Sequence, residues 1–204
     1  MTFFLAMAKG IDAITGFIGR VMWWATLFMV LVGVYNVVTR YFYGALQAVV
    51  GARMAERMTG NLFLELQTYS YDLIFLLGAA FVLSVDGHVR VDIVYTNWSP
   101  RVKAIIDIVG TWLFLAPFSA MAILFSQPYV HNSWRQLETS PNPGGLLRYP
   151  IKTVIVMAFA LLIVQGIALT IRNVAFLRGH PHSGSIHAEP PKAPEPITEE
   201  KAIL

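Results

Sequence analysis

The chain has no cysteine and little charge. Across 204 residues only 13% are Asp, Glu, Lys or Arg, whereas 56% are hydrophobic. Soluble domains carry about a quarter charged residues, so this balance argues against a soluble domain and for a membrane protein. Without cysteine there is no disulfide framework, no thiolate metal site and no cysteine nucleophile, and cysteine usage says nothing of redox compartment. No glycine-rich phosphate loop, nucleophile elbow or zinc spacing occurs either. The five histidines, His88, His131, His180, His182 and His187, all fall outside the long apolar runs, which argues against haem held between spanning helices. Neither an enzyme nor a cofactor is expected. The net charge of +3 comes from single basic residues at the ends of apolar runs. That is the pattern of membrane flanks rather than of a nucleic-acid surface.

What is present is hydrophobic length, with a mean hydropathy of +0.58. Four stretches, about 21–39, 66–85, 104–125 and 153–171, are each long enough to cross ~30 Å of hydrocarbon at ~1.5 Å per residue. The expected fold class is therefore an all-α integral membrane protein with four transmembrane helices. Trp23 and Trp24 open the first span, and Arg40, Tyr41 and Tyr43 close it, as interfacial anchors do. Pro117 is expected to kink the third span, and Gln127-Pro128 to close it.

Two further segments read as interfacial helices. In 1–20, Phe3, Phe4, Met7, Ile11, Ile14, Phe17 and Ile18 recur at helical spacing, which suggests an amphipathic helix on the membrane surface. The other reading makes this segment an extension of the first span. Phe3 to Ala8 lacks a positive n-region, so it is expected to be retained rather than cleaved as a signal peptide. In the connection from 44 to 64, Leu46, Val49, Val50, Met54 and Met58 share a face, predicting one helix over 45–58 ended by Thr59-Gly60-Asn61. The domain organisation is thus 1–20, a four-helix unit over 21–172, and a disordered tail over 179–204 rich in proline, small residues and mixed charge. The tail histidines, lacking a folded second shell, are read as inert.

Four spans place both termini on one side. That side holds Lys9, Arg20, Arg90, Arg101, Lys103, Arg172, Arg178, Lys192 and Lys201, nine basic residues against six (Arg40, Arg53, Arg57, Arg135, Arg148 and Lys152). The bias favours cytoplasmic termini.

Glu65, Thr68, Tyr69 and Asp72 stand at i, i+3, i+4 and i+7, one face of the second helix. Asp72 lies ~10 Å along the axis from Glu65. An acid at that depth must face protein, find a cation or take up a proton. Arg40, at the same end of the bundle, is expected to pair with Glu65, or with Asp72 through a polar network including Asn36. Asp72 has two readings: a proton or ion ligand, or a structural acid tying helices or facing a partner subunit. The structural reading is preferred, because the other spans offer only Asn36, Gln165 and a few hydroxyls. Gly78-Ala79-Ala80 is a small-residue patch suited to close helix approach, either by a partner or within the unit. His88, Arg90 and Asp92 read as an interfacial charge cluster rather than a metal site.

Several of these features together resemble one family. Arg40-Tyr41 ends the first span and Glu65 opens the second. Phe75-Leu76-Leu77-Gly78-Ala79-Ala80 is followed by Asp86-Gly87-His88-Val89-Arg90-Val91-Asp92. Over roughly 14–172 the chain resembles the small membrane subunit (Q or DctQ-type) of tripartite ATP-independent periplasmic (TRAP) transporters. The resemblance implies a multi-pass protein of the bacterial inner membrane, embedded in lipid, that binds a large multi-span transport subunit. Substrate, commonly an organic acid, arrives from a periplasmic binding protein, and a sodium gradient commonly drives uptake. The small subunit is then a non-catalytic scaffold, with no large subunit fused to it. Arg40, Glu65, Asp72, Gly78, His88, Arg90 and Asp92 become its structural or subunit-contact candidates. The long connection from 44 to 64 departs from the shorter one of many members. Two other readings stand beside this one: a self-sufficient small transporter or channel using Asp72, and the membrane anchor of a redox complex.

Overall fold

The computed structural model describes residues 2–85, 87 and 98–180. Seven α-helices run through them: α1 (Thr2–Tyr41), α2 (Tyr43–Val50), α3 (Ala52–Met58), α4 (Asn61–Ser84), α5 (Pro100–Gly110), α6 (Ala116–Arg135) and α7 (Arg148–Leu177). A π-helical turn, Thr111–Leu115, joins α5 to α6 without a break. Among the described residues the only strand-like pairing is a single antiparallel bridge between Thr139 and Leu147. Four helical units are long and apolar enough to cross a membrane. The chain is an all-α membrane protein, as hydrophobic length implied.

α7 is the centre of the bundle. Its buried positions include Ala158, Gly166, Ala168 and Ala175, small residues that let neighbouring backbones approach. Gly166 faces Thr111, whose Cγ2 would lie 2.9 Å from a Cβ at that position. α1 and α4 pack antiparallel. Gly19 lies under the Phe81 ring, Gly33 faces Gln67, and Tyr35 meets Phe63 with ring centroids 4.7 Å apart. On the other side Phe118 of α6 packs edge-on against Phe159 of α7 at 5.9 Å. The hydroxyls inside the spans mostly bond their own helix. Thr39 donates to Tyr35 O (2.9 Å), Ser70 to Leu66 O (2.8 Å) and Thr170 to Gly166 O (2.9 Å). Hydrocarbon offers no other partner.

Several boundaries differ from the expected ones, each for a physical reason. The segment 1–20 forms no separate helix, because α1 is unbroken over 40 residues. Ala8 and Thr15 in it are almost fully buried, and Thr15 bonds Gln165 of α7 at 3.1 Å. As helix, the segment is continuous with the first span. The helix expected over 45–58 is divided at Gly51, whose φ of 82° leaves helical geometry. Pro117 does perturb the third span. The ladder shifts to five-residue spacing just before it, with the Ala116 N–H on Thr111 O. Pro128, however, does not end the helix, which continues to Arg135. Membrane helices tolerate an internal proline where neighbours re-satisfy the freed carbonyl.

α6 and α7 end by the same device. At the end of α7 the His180 N–H bonds Ala175 O (3.1 Å), the Gly179 N–H bonds Phe176 O (2.9 Å), and Gly179 takes φ 75°. At the end of α6 the Glu138 N–H bonds Ser133 O (3.0 Å) and the Leu137 N–H bonds Trp134 O (3.3 Å). There the left-handed position is held by Leu137, at φ 45°. This is the Schellman ending, in which that position favours glycine. Leu137→Gly is expected to raise stability by about 1 kcal/mol, read as a higher thermal midpoint in detergent. The side chain of Leu137 is largely exposed, so little packing is lost.

Candidate functional site

The loop joining α6 to α7 closes over the start of α4, and one carboxylate holds it there. Glu65 stands in the second turn of α4 and is only 9% exposed. It accepts hydrogen bonds from the Ser140 hydroxyl, from Asn142 Nδ2 (2.8 Å) and from the Leu146 N–H (2.6 Å). The loop is shaped to make this possible. The Ser140 N–H bonds Leu146 O at 3.0 Å, the Gly145 N–H bonds Asn142 O at 3.0 Å, and Gly144 takes φ 72°. A Cβ at Gly145 would lie 2.7 Å from Glu65 Oε2, so only glycine lets the backbone come this close.

A second carboxylate ties the same loop to the helices on either side. Glu138 accepts from Ser133 Oγ of α6 (2.7 Å) and from Lys152 Nζ of α7. Lys152 is nearly buried, and its ammonium also sits 3.8 Å from the centre of the Tyr129 ring. The Lys152 hydrogen bond, followed by that of Ser133, holds the Glu138 carboxyl below its ordinary range. Trp134 completes this end, donating to Thr153 Oγ1 at 2.8 Å and packing on Tyr149 at 4.5 Å.

Beneath the clamp, between α4, α6 and α7, lies a cleft of about 480 Å³. Thr68, Asp72 and Phe75 line it from α4, Tyr129 from α6, and Arg148, Ile151 and Lys152 from α7. Asp72 is half-buried and makes no hydrogen bond or ion pair among the described residues. The Tyr69 hydroxyl, also on this cleft, is buried with the Arg148 side chain beside it. The period-3.6 argument thus placed Glu65, Thr68, Tyr69 and Asp72 correctly on one face. It missed Arg148 and Lys152, which stand one turn apart at the start of α7. Their i, i+4 spacing beside an apolar run was the available signal.

Other expectations fall differently. Arg40 does not pair with Glu65 or Asp72. It donates through Nε to Asn36 Oδ1 at 2.9 Å, within α1, and through Nη2 to Asn61 Oδ1 at 3.5 Å. Glu65 needs no cation because neutral donors of the loop already fill it. Among the described residues no heavy atom lies within 4 Å of a Cβ built at Gly78. His88, Arg90 and Asp92 lie outside the described residues.

At the opposite end of the bundle a buried polar tie joins α1 to α7. Arg172 Nη1 meets Asp12 Oδ2 at 3.2 Å, Gln165 Nε2 donates to Asp12 Oδ1 at 2.9 Å, and Thr15 donates to Gln165 Oε1 at 3.1 Å. Among the described residues no group of three His, Cys, Asp or Glu side chains is placed to hold a metal.

These features define a helical membrane protein of four spans whose polar side chains serve mainly to lock helices and one loop together. The comparisons with known proteins agree with that class. A family model, "Tripartite ATP-independent periplasmic transporters, DctQ component", matches residues 29–176, and the chain belongs to this family. It is therefore a transporter component and not an enzyme. No curated protein and no solved structure matches it.

Removing the clamp has a defined outcome. Glu65→Ala leaves the half-buried Leu146 N–H and two side-chain donors without their acceptor. It is expected to cost about 1–3 kcal/mol and to open the loop to protease, whereas Glu65→Gln keeps an acceptor and costs less. The Glu138 carboxyl is lowered on folding, so its contribution is complete above its ordinary value of 4.5 and fades as pH falls through its folded value. Protease cleavage within 136–147 is expected to rise only in acid. Glu138→Gln should raise cleavage at neutral pH and flatten the acid dependence.

Proposed function

We propose that this chain is a non-catalytic scaffold for the large transport subunit of a TRAP system in the bacterial inner membrane, with both termini cytoplasmic. The complex takes up an organic acid delivered by a periplasmic binding protein, driven by an ion gradient. Family membership supports the assembly, and the excess of basic residues on the terminal side supports the orientation.

One observation carries the scaffold role. Fixed polar ties hold both ends, Glu65 on the loop and Asp12–Arg172–Gln165 between helices. Meanwhile the spans turn large apolar side chains outward, among them Trp24, Phe28, Phe114, Phe118 and Phe125. Rigid ties and a broad apolar exterior suit a part that holds another membrane protein still. Gated transport through this chain alone would need the ties to break and re-form.

The second reading, a self-sufficient transporter, draws on the unpaired Asp72 in its cleft. Reconstitution separates the two. Vesicles containing this chain alone are expected to show no substrate-driven ion flux, whereas vesicles containing it with the large subunit and binding protein show uptake. Flux by the chain alone that is abolished in Asp72→Asn would replace the scaffold with the transporter.

A further inference from the structure

The outward side of α1 carries a regular apolar seam. Trp23, Leu27, Val30, Val34, Val37 and Tyr41 recur at alternating steps of four and three, the spacing by which one helix packs along another. All six are exposed, Val37 at 66% and Tyr41 at 83%. Beside the seam, α1 and α4 form a groove of about 430 Å³, lined by Val30, Gly33, Val34, Val37 and Val38 of α1 and by Gln67 of α4. Gln67 is the polar group in it. Its amide lies over Gly33, with Nε2 3.0 Å from a Cβ built there, and it makes no hydrogen bond among the described residues. Arg40 and Asn61, bonded to each other, mark that end of the two helices. Gly33 and Gln67 stand about 10 Å inside it, at ~1.5 Å per residue. Lipid tails offer an amide nothing to bond, so a partner that can bond it is favoured there.

We propose that this groove receives a transmembrane helix of the large transport subunit, lying along the α1 seam, and that the helix places a serine, threonine, asparagine or glutamine side chain on the Gln67 amide. The identity of the occupant rests on the function proposed above. The groove suits a helix in each of its parts. Gly33 leaves room for close approach, the valines are stiff and lose little rotamer freedom on packing, and an amide hydrogen bond holds membrane helices together. A second copy of this chain fits worse. Two copies inserted the same way are related by a two-fold axis along the membrane normal, so α1 would meet its copy in parallel. Each Gln67 would then face the other copy's α1, whose exposed side chains between 27 and 38 are all apolar. Asn36 is buried and bonded to Arg40, and Tyr35 packs on Phe63. Both amides would stay unsatisfied, so a helix of different sequence is required.

The test uses this chain, tagged and co-expressed with its large subunit, and compares Val34→Trp, which fills the groove, with Gln67→Leu, which keeps the bulk and removes the amide. The measurements are the large subunit retained after detergent purification and the thermal midpoint of the small subunit purified alone. Val34→Trp is expected to lower retention about tenfold and Gln67→Leu several-fold. The isolated Gln67→Leu chain should melt no lower than wild type, because the amide has no partner within the chain. Wild-type retention by both variants overturns the docking face. A lower midpoint for isolated Gln67→Leu overturns the role of the amide, making it an internal packing group. A photo-crosslinking residue at Val37 should join the large subunit. Crosslinking of Val37 to a second copy, or to lipid alone while a residue at Phe118 on α6 joins the large subunit, overturns this face and leaves the proposed function standing. If wild type retains no large subunit, the proposed function fails and this inference fails with it.

Discussion

The Glu65 carboxylate is the contact on which the loop end of the bundle depends. A charged group in the first turns of a membrane helix has three fates: water, a cation, or a set of neutral donors. Here it takes the third, drawing two side chains and one backbone N–H from a loop that follows it by more than seventy residues in sequence. Because the loop leads directly into α7, this one group joins the second span to the fourth. The Gly144–Gly145 backbone is shaped to its oxygens. Once the loop is seated, Glu138 stands between Ser133 and Lys152 and brings in α6 as well. Lys152, held by Glu138, lines the Asp72 cleft, so one wall of the cleft depends on the seated loop.

The other end of the bundle solves the same problem with different chemistry. Asp12, Gln165, Thr15 and Arg172 are side chains on two helices, with no loop involved. Arg172 uses Nη1 on Asp12, while its buried Nε and Nη2 have no hydrogen-bond partner among the described residues. Between these two polar ends α7 is packed through alanine and glycine, where van der Waals contact between close backbones replaces the hydrophobic drive that lipid cannot supply. Sliding α7 along its axis would break both sets of ties at once. That coupling makes the four spans one mechanical unit.

Much of this was legible in the sequence, and what was not has definite causes. Hydrophobic length alone located four spans, because lipid thickness fixes it. Helical periodicity placed Glu65 and Asp72 on one face, because 3.6 residues per turn needs no tertiary information. The partner of Glu65 was misjudged because charge invites a search for countercharge, and Arg40 was the nearest cation at that end. Ser140, Asn142 and a backbone N–H carry no such signal. The end of α6 was misplaced for a related reason. Pro128 looks like a stop, but the actual stop is a Schellman turn at Leu137, where no glycine announces it. The unbroken α1 was ambiguous because an apolar face along 1–20 fits a lipid surface and the flank of α7 equally well.

Glu65 and Asp72 share a helix face and a chemical group, yet the fold treats them oppositely, and depth explains the difference. The α6–α7 loop can offer donors only where its backbone passes, at the level of Glu65. Some 10 Å further in, the facing surface is regular helix, whose N–H groups are already bonded to their own carbonyls. Only a side chain can satisfy an acid there. The two cationic side chains lining the cleft, Arg148 and Lys152, lie at the start of α7, nearer the loop, where Glu138 holds Lys152. The bundle therefore satisfies its own polar groups from the loop inward and stops short of Asp72.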